Sequence, residues 1–222
     1  MRDNSPRPIS SLRQTLLRWF RKHARKYPWR ETSDPYQVLI AELMLRRTQA
    51  DQVKPVFEEF IEEFPDARSL DEADERRVAE LVYPLGLNWR TPAFKKVVRE
   101  VGEKYGYQIP ETREELTGLT GVGDYVAGAI LSVAYGKKEW IVDTNVARVF
   151  QRYYGLKTIK EARRDKQVVG LARAYAAGRD PRRANLAILD FAALVCTARK
   201  PRCPECPLRR ECIFYSLQRS RS

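Results

Sequence analysis

Apolar residues recur along this chain at the three-to-four spacing of helices, and no stretch alternates convincingly as a strand would. Leu12, Leu16, Trp19 and Phe20 form one stripe, with Ser11 and Gln14 at capping-box spacing ahead of it. Tyr27-Pro28-Trp29-Arg30 breaks that helix. Asp34-Pro35 opens the next, with Asp as cap and Pro at the first helical position. The run that follows, VLIAELMLRRTQADQV, is almost wholly apolar in its first half. Further helices are predicted over Val56 to Phe64, roughly Asp74 to Val82, and Ala184 to Cys196. Pro84-Leu85-Gly86-Leu87-Asn88-Trp89-Arg90 reads as a loop that exposes Leu87 and Trp89, and residues 1–10 read as loosely attached. Counting gives about nine or ten helical patterns, no internal repeat and no low-complexity segment. The class is all-α.

The pattern turns on the stretch from Leu119 to Asp143. Thr112 and Glu115 sit at capping-box spacing and start a helix that ends near Gly118. Gly121 and Gly123 are expected to supply positive φ in a tight turn. From Asp124 the positions Val126, Ala129, Ile130 and Val133 recur at helical spacing until Gly136. A glycine-rich turn that opens a helix points N–H groups outward and suits a phosphate. On the turn alone, an ordinary helical hairpin in a bundle is the simpler account. Asp143 precedes a further helical run from Thr144 to Val149, where its plain role is an N-cap. Glu42 stands among Ile40, Ala41, Leu43 and Met44, so its carboxylate needs a partner or a task. An i,i+4 pair with Arg46 would supply the partner.

Composition changes the picture in one direction. The 222 residues carry a formal charge of +12 and a pI near 9.7, which suits a polyanionic partner, most simply nucleic acid, although a solvated charged surface gives the same count. No segment approaches the roughly eighteen apolar residues that span a membrane, and the polar start is no secretory signal. A cytoplasmic protein is expected, without a membrane partner. Charged residues at 32% and the scarcity of asparagine hint at a thermophilic source. The single histidine, His23, lies among Arg21, Lys22 and Arg25 and reads as a surface residue.

All four cysteines fall in one window, Cys196, Cys203, Cys206 and Cys212, spaced C-x6-C-x2-C-x5-C. Disulfides suit an intracellular basic protein poorly. Four thiolates suit zinc or an iron–sulfur cube, and zinc modules usually bring two C-x2-C pairs where this chain has one. The same loop carries Arg199, Lys200, Arg202, Arg209 and Arg210, cations that a rigid loop can present to phosphates.

From about Trp29 to Cys212, the hairpin, the VDTN segment and the cysteine spacing together resemble the helix-hairpin-helix DNA glycosylases. These are the superfamily of endonuclease III, the adenine glycosylase MutY and the archaeal-type thymine-DNA mismatch glycosylases. The resemblance implies two all-α lobes. One is a six-helix barrel over 35–146 containing a hairpin at about 112–136; the other is a cluster domain made of 11–34 and 147–222. It implies a monomer that binds double-stranded DNA and flips the target nucleotide out of the duplex. The hairpin, with Gly121 and Gly123, would grip the DNA backbone. Asp143 would be catalytic, and Glu42, in a pattern like AELMLRRT, would orient or polarise the base. Leu87 matches the wedge residue, and Arg47 the side chain that fills the space of the extruded base. The cysteine spacing matches a [4Fe–4S] loop of structural role, with zinc the lesser alternative. Tyr125 stands where the endonuclease III branch carries Lys, so no Schiff base can form there and a monofunctional enzyme is implied. Ala50 and Leu186 stand where the adenine branch has Val and Gln, and match the thymine mismatch branch. The implied function is removal of thymine or uracil opposite guanine. The alternatives are an adenine-specific enzyme lacking the extra C-terminal domain, and a non-catalytic cluster-bearing DNA-binding protein; the presence of both Glu42 and Asp143 argues against the second.

Overall fold

The structure, a computed structural model, describes residues 8–86, 91–157 and 161–219. Among these the chain forms thirteen α-helices and no strand, in keeping with the all-α pattern. No helix among them is long and apolar enough to cross a membrane. Backbone contacts divide the chain into two compact units, Lys26–Tyr135 on one hand and Met1–Arg25 with Gly136–Ser222 on the other.

The chain opens on α1 (Ile9–His23), which belongs to the discontinuous unit. It starts ahead of the Ser11–Gln14 pair, and no side chain caps it. The Ser11 N–H already bonds the Pro8 carbonyl at 2.9 Å, which leaves a capping box nothing to satisfy.

The contiguous unit then runs through α2 (Pro28–Glu31), α3 (Pro35–Met44), α4 (Ala50–Glu63), α5 (Ala67–Glu72), α6 (Glu75–Val82), α7 (Thr91–Tyr105), α8 (Arg113–Thr117) and α9 (Asp124–Ala129). The helical path of α9 continues as a π-turn over Ile130–Ala134, and Gly136, at φ +64°, ends it. Asp34 caps α3 through a 2.8 Å bond from the Tyr36 N–H, as the Asp-Pro pair predicts. Val38 to Ala41 are 2% exposed or less, because α3 is apolar on every face and sits in the middle of this unit. It packs on α4, α9 and the π-turn. Two boundaries differ from expectation. The helix that carries the apolar run ends at Met44, with Leu45 as its C-cap, and α4 begins at Ala50, not Val56. Pro55 is tolerated inside α4 because the carbonyl it cannot answer belongs to exposed Asp51, within reach of water. The buried ammonium of Lys95, on α7, donates to the carbonyls of Leu70, Asp71 and Ala73 and so closes the C-terminal end of α5.

The chain returns to the discontinuous unit with α10 (Thr144–Tyr154), α11 (Lys166–Ala176), α12 (Pro181–Leu194) and α13 (Ile213–Arg219). α12 starts three residues before the expected Ala184, on a second Asp-Pro pair; the Asp180 carboxylate accepts the Arg183 N–H at 2.9 Å. Leu12, Leu16 and Phe20 of α1 pack on α12, and Trp19 meets Phe191 edge-to-face. Asp190, fully buried on α12, accepts the Arg25 backbone N–H at 2.8 Å and its Nε at 2.7 Å, so the end of the N-terminal segment is tied to the core by a paired charge. Gly155 closes α10 at φ +67°, and a Cβ there would meet Ile213 Cγ2 at 2.7 Å, so both the backbone and the space require glycine.

Candidate active site

In the contiguous unit, the candidate residues gather on the α3–α4 connection and on the hairpin of α8 and α9. Glu42 lies half-buried in the last turn of α3. α3 ends at Met44, so Arg46 lies just beyond the helix that carries Glu42. The Arg46 guanidinium donates to the Gly121 carbonyl of the hairpin. Arg47 is exposed and held at φ +61°, a left-handed conformation that only a few non-glycine residues adopt. Ala50, half-buried, is the first residue of α4. Leu87, with Asn88, Trp89 and Arg90, lies outside the described residues.

The hairpin begins as the pattern predicts. Thr112 caps α8 by accepting the Glu115 N–H at 3.3 Å, and its hydroxyl donates to the Glu115 carboxylate at 2.6 Å. Leu119 to Val122 form a turn closed by the Val122 N–H on the Leu119 carbonyl at 3.1 Å, with Gly121 at φ +79° in the position that demands it. Gly123 departs from expectation: its φ of −99° and ψ of 178° are extended backbone, and it serves as the N-cap residue of α9. The turn is anchored to α7 by Glu100, whose carboxylate takes the Thr120 N–H at 2.7 Å and the Thr120 hydroxyl. Partial burial raises the Glu100 carboxyl, but the bonds from Thr120 outweigh it and hold it below its usual range. Arg113 crosses the hairpin to the Asp124 carbonyl at 2.7 Å. Tyr125, half-buried, is the second residue of α9.

In the discontinuous unit, Asp143 caps α10: its Oδ1 accepts the Val146 N–H at 2.7 Å. Its Oδ2 accepts the Asn145 amide at 2.7 Å, and the Asn145 carbonyl in turn takes Arg148 Nη1 at 2.9 Å. Arg148 also donates to the Cys196 carbonyl at 2.9 Å and the Ala192 carbonyl at 3.0 Å. A continuous line of hydrogen bonds thus joins the carboxylate to the end of α12 and the first cysteine. Arg148 and Arg152, one turn apart on α10, both turn to backbone carbonyls of the same unit. Arg152 donates to the carbonyls of Thr197 (2.7 Å) and Ala198 (2.8 Å), approaches Cys196 Sγ at 3.6 Å and covers the Phe214 ring. The i,i+4 spacing of two arginines on a helix that leads toward a cysteine loop is the signal that could have revealed them. Arg199 and Lys200 are exposed on that loop, and Leu186 is buried on α12.

Cys196, Cys203, Cys206 and Cys212 all line one recess whose other walls include Val149, Phe191, Val195 and Leu208. Burial pushes the Cys206 thiol up to about 12 and raises Cys203 and Cys212. Among the described residues no three His, Cys, Asp or Glu side chains are arranged to hold a metal ion as they stand. A bound cluster would be held by these four thiols. Donor number, donor type and a shared apolar recess fit that group.

Residues 40–171, which span the Glu42 turn, the hairpin and the Asp143 cap, match the model of the HhH-GPD superfamily of base excision DNA repair proteins. The chain belongs to the HhH-GPD superfamily. Its relatives include the thymine-DNA glycosylase of Aeropyrum pernix, 39% identical across 94% of this chain and 96% of the relative. The thymine/uracil-DNA glycosylase of Pyrobaculum aerophilum is 37% identical across 96% of each. Among solved structures, a thermostable thymine-DNA glycosylase superposes with a TM-score of 0.87 at 32% identity, over 94% of this chain and 97% of that one. This HhH-GPD chain is thus similar to these proteins along nearly its whole length.

Proposed function

We propose that this chain is a DNA glycosylase of base excision repair that removes thymine or uracil opposite guanine and leaves the strand intact. The observation that carries the reading is the near-full-length likeness to thymine- and thymine/uracil-DNA glycosylases. Ala50, Leu186 and Tyr125, which match that branch and not the adenine or endonuclease III branches, support it. Double-stranded DNA is the partner, its backbone gripped by the hairpin turn at Gly121 and Gly123 and by Arg199 and Lys200 of the cysteine loop. The extruded nucleotide leaves a space for Arg47, and Leu87 wedges beside it. Glu42 orients or polarises the pyrimidine, and Tyr125 stacks on it. As the bond from C1′ to the base nitrogen breaks, its electron pair leaves with the base and positive charge develops on the sugar. The Asp143 carboxylate stabilises that charge and accepts a proton from the water that attacks C1′. Its two helix-end hydrogen bonds fix it in one orientation for this task. Tyr125 offers no amine, so the product is an abasic site in an unbroken strand.

The test is a glycosylase assay over duplexes carrying G·T, G·U, G·A and oxidised pyrimidines. Excision from G·T and G·U, with the strand cut only after alkali, is expected; excision confined to adenine would replace this reading with the adenine-specific one. Binding to all duplexes with every base left attached would make the chain a non-catalytic DNA-binding protein.

The cysteine recess is read as the seat of a structural [4Fe–4S] cluster held by Cys196, Cys203, Cys206 and Cys212, in a cluster domain distinct from the six-helix barrel domain. Bound there, the cluster supplies a rigid cross-link for the loop carrying Arg199 and Lys200, not redox turnover. Anaerobically purified protein is expected to be brown with about four irons per chain. One zinc and no iron would overturn the assignment.

A further inference from the structure

The connection between α3 and α4 holds an exposed arginine in a conformation it does not favour. At φ +61°, Arg47 carries a backbone cost relative to its right-handed alternative, so its surroundings must hold it there. The preceding residue is the one that reaches out: the Arg46 side chain donates to the Gly121 carbonyl across 75 positions of sequence. The Gly121–Val122 peptide is fixed at both ends as a result. Its N–H closes the hairpin turn on Leu119, and its carbonyl takes the guanidinium. Behind it, Thr120 is held by Glu100 through backbone and side chain. The line from α7 through the hairpin turn to Arg47 is therefore unbroken.

We propose that Arg46 is a positioning residue that interlocks the DNA-gripping hairpin with the turn presenting Arg47, so that seating the hairpin on the backbone and aiming Arg47 into the duplex become one event. This rests on the role given above to Arg47. A guanidinium on a neutral carbonyl adds no substrate contact of its own. It transmits position: a shift of the Gly121 carbonyl moves Arg46, and Arg47 is the next residue. With Arg46 truncated, the turn is free to relax from its left-handed conformation while the hairpin, still anchored by Glu100, keeps its grip.

The experiment measures affinity by fluorescence anisotropy for two duplexes, one intact and one with a tetrahydrofuran abasic analogue opposite guanine. The analogue offers Arg47 its space without any excision. Wild type is expected to prefer the abasic duplex. Arg46→Ala should lower that preference about tenfold with intact-duplex affinity changed less than threefold, and Arg46→Lys, which keeps a cationic donor of similar reach, should restore most of it. Because Arg46 acts through Arg47, Arg46→Ala should add nothing in an Arg47→Ala background. A preference kept within twofold by Arg46→Ala would overturn the interlock, as would single-variant losses that multiply in the double variant. A wild type without any preference would overturn it together with the role of Arg47. The readout needs no base removal. Failure to excise from G·T or G·U would sink the proposed activity alone and leave the interlock to be judged on its own ratio.

Discussion

Asp143→Asn is expected to abolish nearly all base excision while leaving the protein folded and bound to DNA. The structure lets the two roles of this side chain be separated. As a cap, Asp143 uses Oδ1 to accept the Val146 N–H, and an asparagine carbonyl does the same; the two residues cap helices about equally well. The Asn145 amide, which now donates to Oδ2, would face an amide group, and that one bond is lost or must rearrange around Arg148. The expected cost is small, a fall in melting temperature of about 2–3 °C. The transition state loses far more. A sugar carrying positive charge at C1′ is stabilised by a carboxylate and not by a neutral amide, so excision should fall by roughly 10²–10⁴-fold under single-turnover conditions. Affinity for a mismatched duplex should hold or rise slightly, since a negative charge is removed near phosphate. If Asp143→Asn excises at the native rate and melts well below wild type, Asp143 is a cap and nothing else.

Apart from the Ser11–Gln14 pair, which α1 overruns, the expected caps are present because they are local chemistry. An oxygen on Asp34, Thr112 or Asp143 answers an N–H two or three residues on, and no distant residue is needed to predict it. The same chemistry starts α12 at Asp180-Pro181, three residues ahead of the apolar run that sets the expected start at Ala184. The break between α3 and α4 was not legible. Nothing in LRRTQ announces a left-handed residue, since glycine and asparagine, the usual markers, are absent. The conformation at Arg47 accompanies a contact from Arg46 to a carbonyl 75 positions away. α7 lies outside the expected helices although Phe94, Val97, Val98 and Val101 keep helical spacing and Thr91-Pro92 offers a cap residue type and a first-turn proline ahead of them. Gly123 departs from the expected positive φ because glycine permits that conformation without requiring it; of the two, Gly121 occupies the turn position that does. At the candidate site, residue type and spacing single out the cysteines, and the family resemblance singles out Asp143. They could not say that Asn145 and Arg148 join the two, because the direction of an arginine side chain is decided by which carbonyls lie within its reach.

Tyr125→Lys is expected to change the kind of product the enzyme leaves. Tyr125 occupies the second position of α9, two residues past the last glycine of the hairpin, where the endonuclease III branch is expected to carry its lysine. A phenol there can stack on a base but cannot form an imine with a sugar. The wild type should therefore yield an abasic site that breaks only on alkali or heat. A lysine at 125 would place a primary amine within reach of C1′. Half-burial and the excess of cations on this chain both favour its neutral, nucleophilic form. The amine forms a bond to C1′ as the base departs, gives up a proton and opens the sugar ring to a Schiff base. Elimination of the 3′ phosphate then cuts the strand. Borohydride should trap a covalent protein–DNA adduct with the variant and not with wild type, and nicking should appear without alkali. Excision itself should persist at a reduced rate, since Asp143 remains and only a stacking partner is lost. Trapping by the wild type would mean that another lysine, Lys137 among the candidates, reaches the sugar and that the enzyme is not monofunctional. A folded Tyr125→Lys protein that excises the base yet never nicks or traps would mean that position 125 does not face the sugar, and the assignment of Tyr125 to the base site would fall with it.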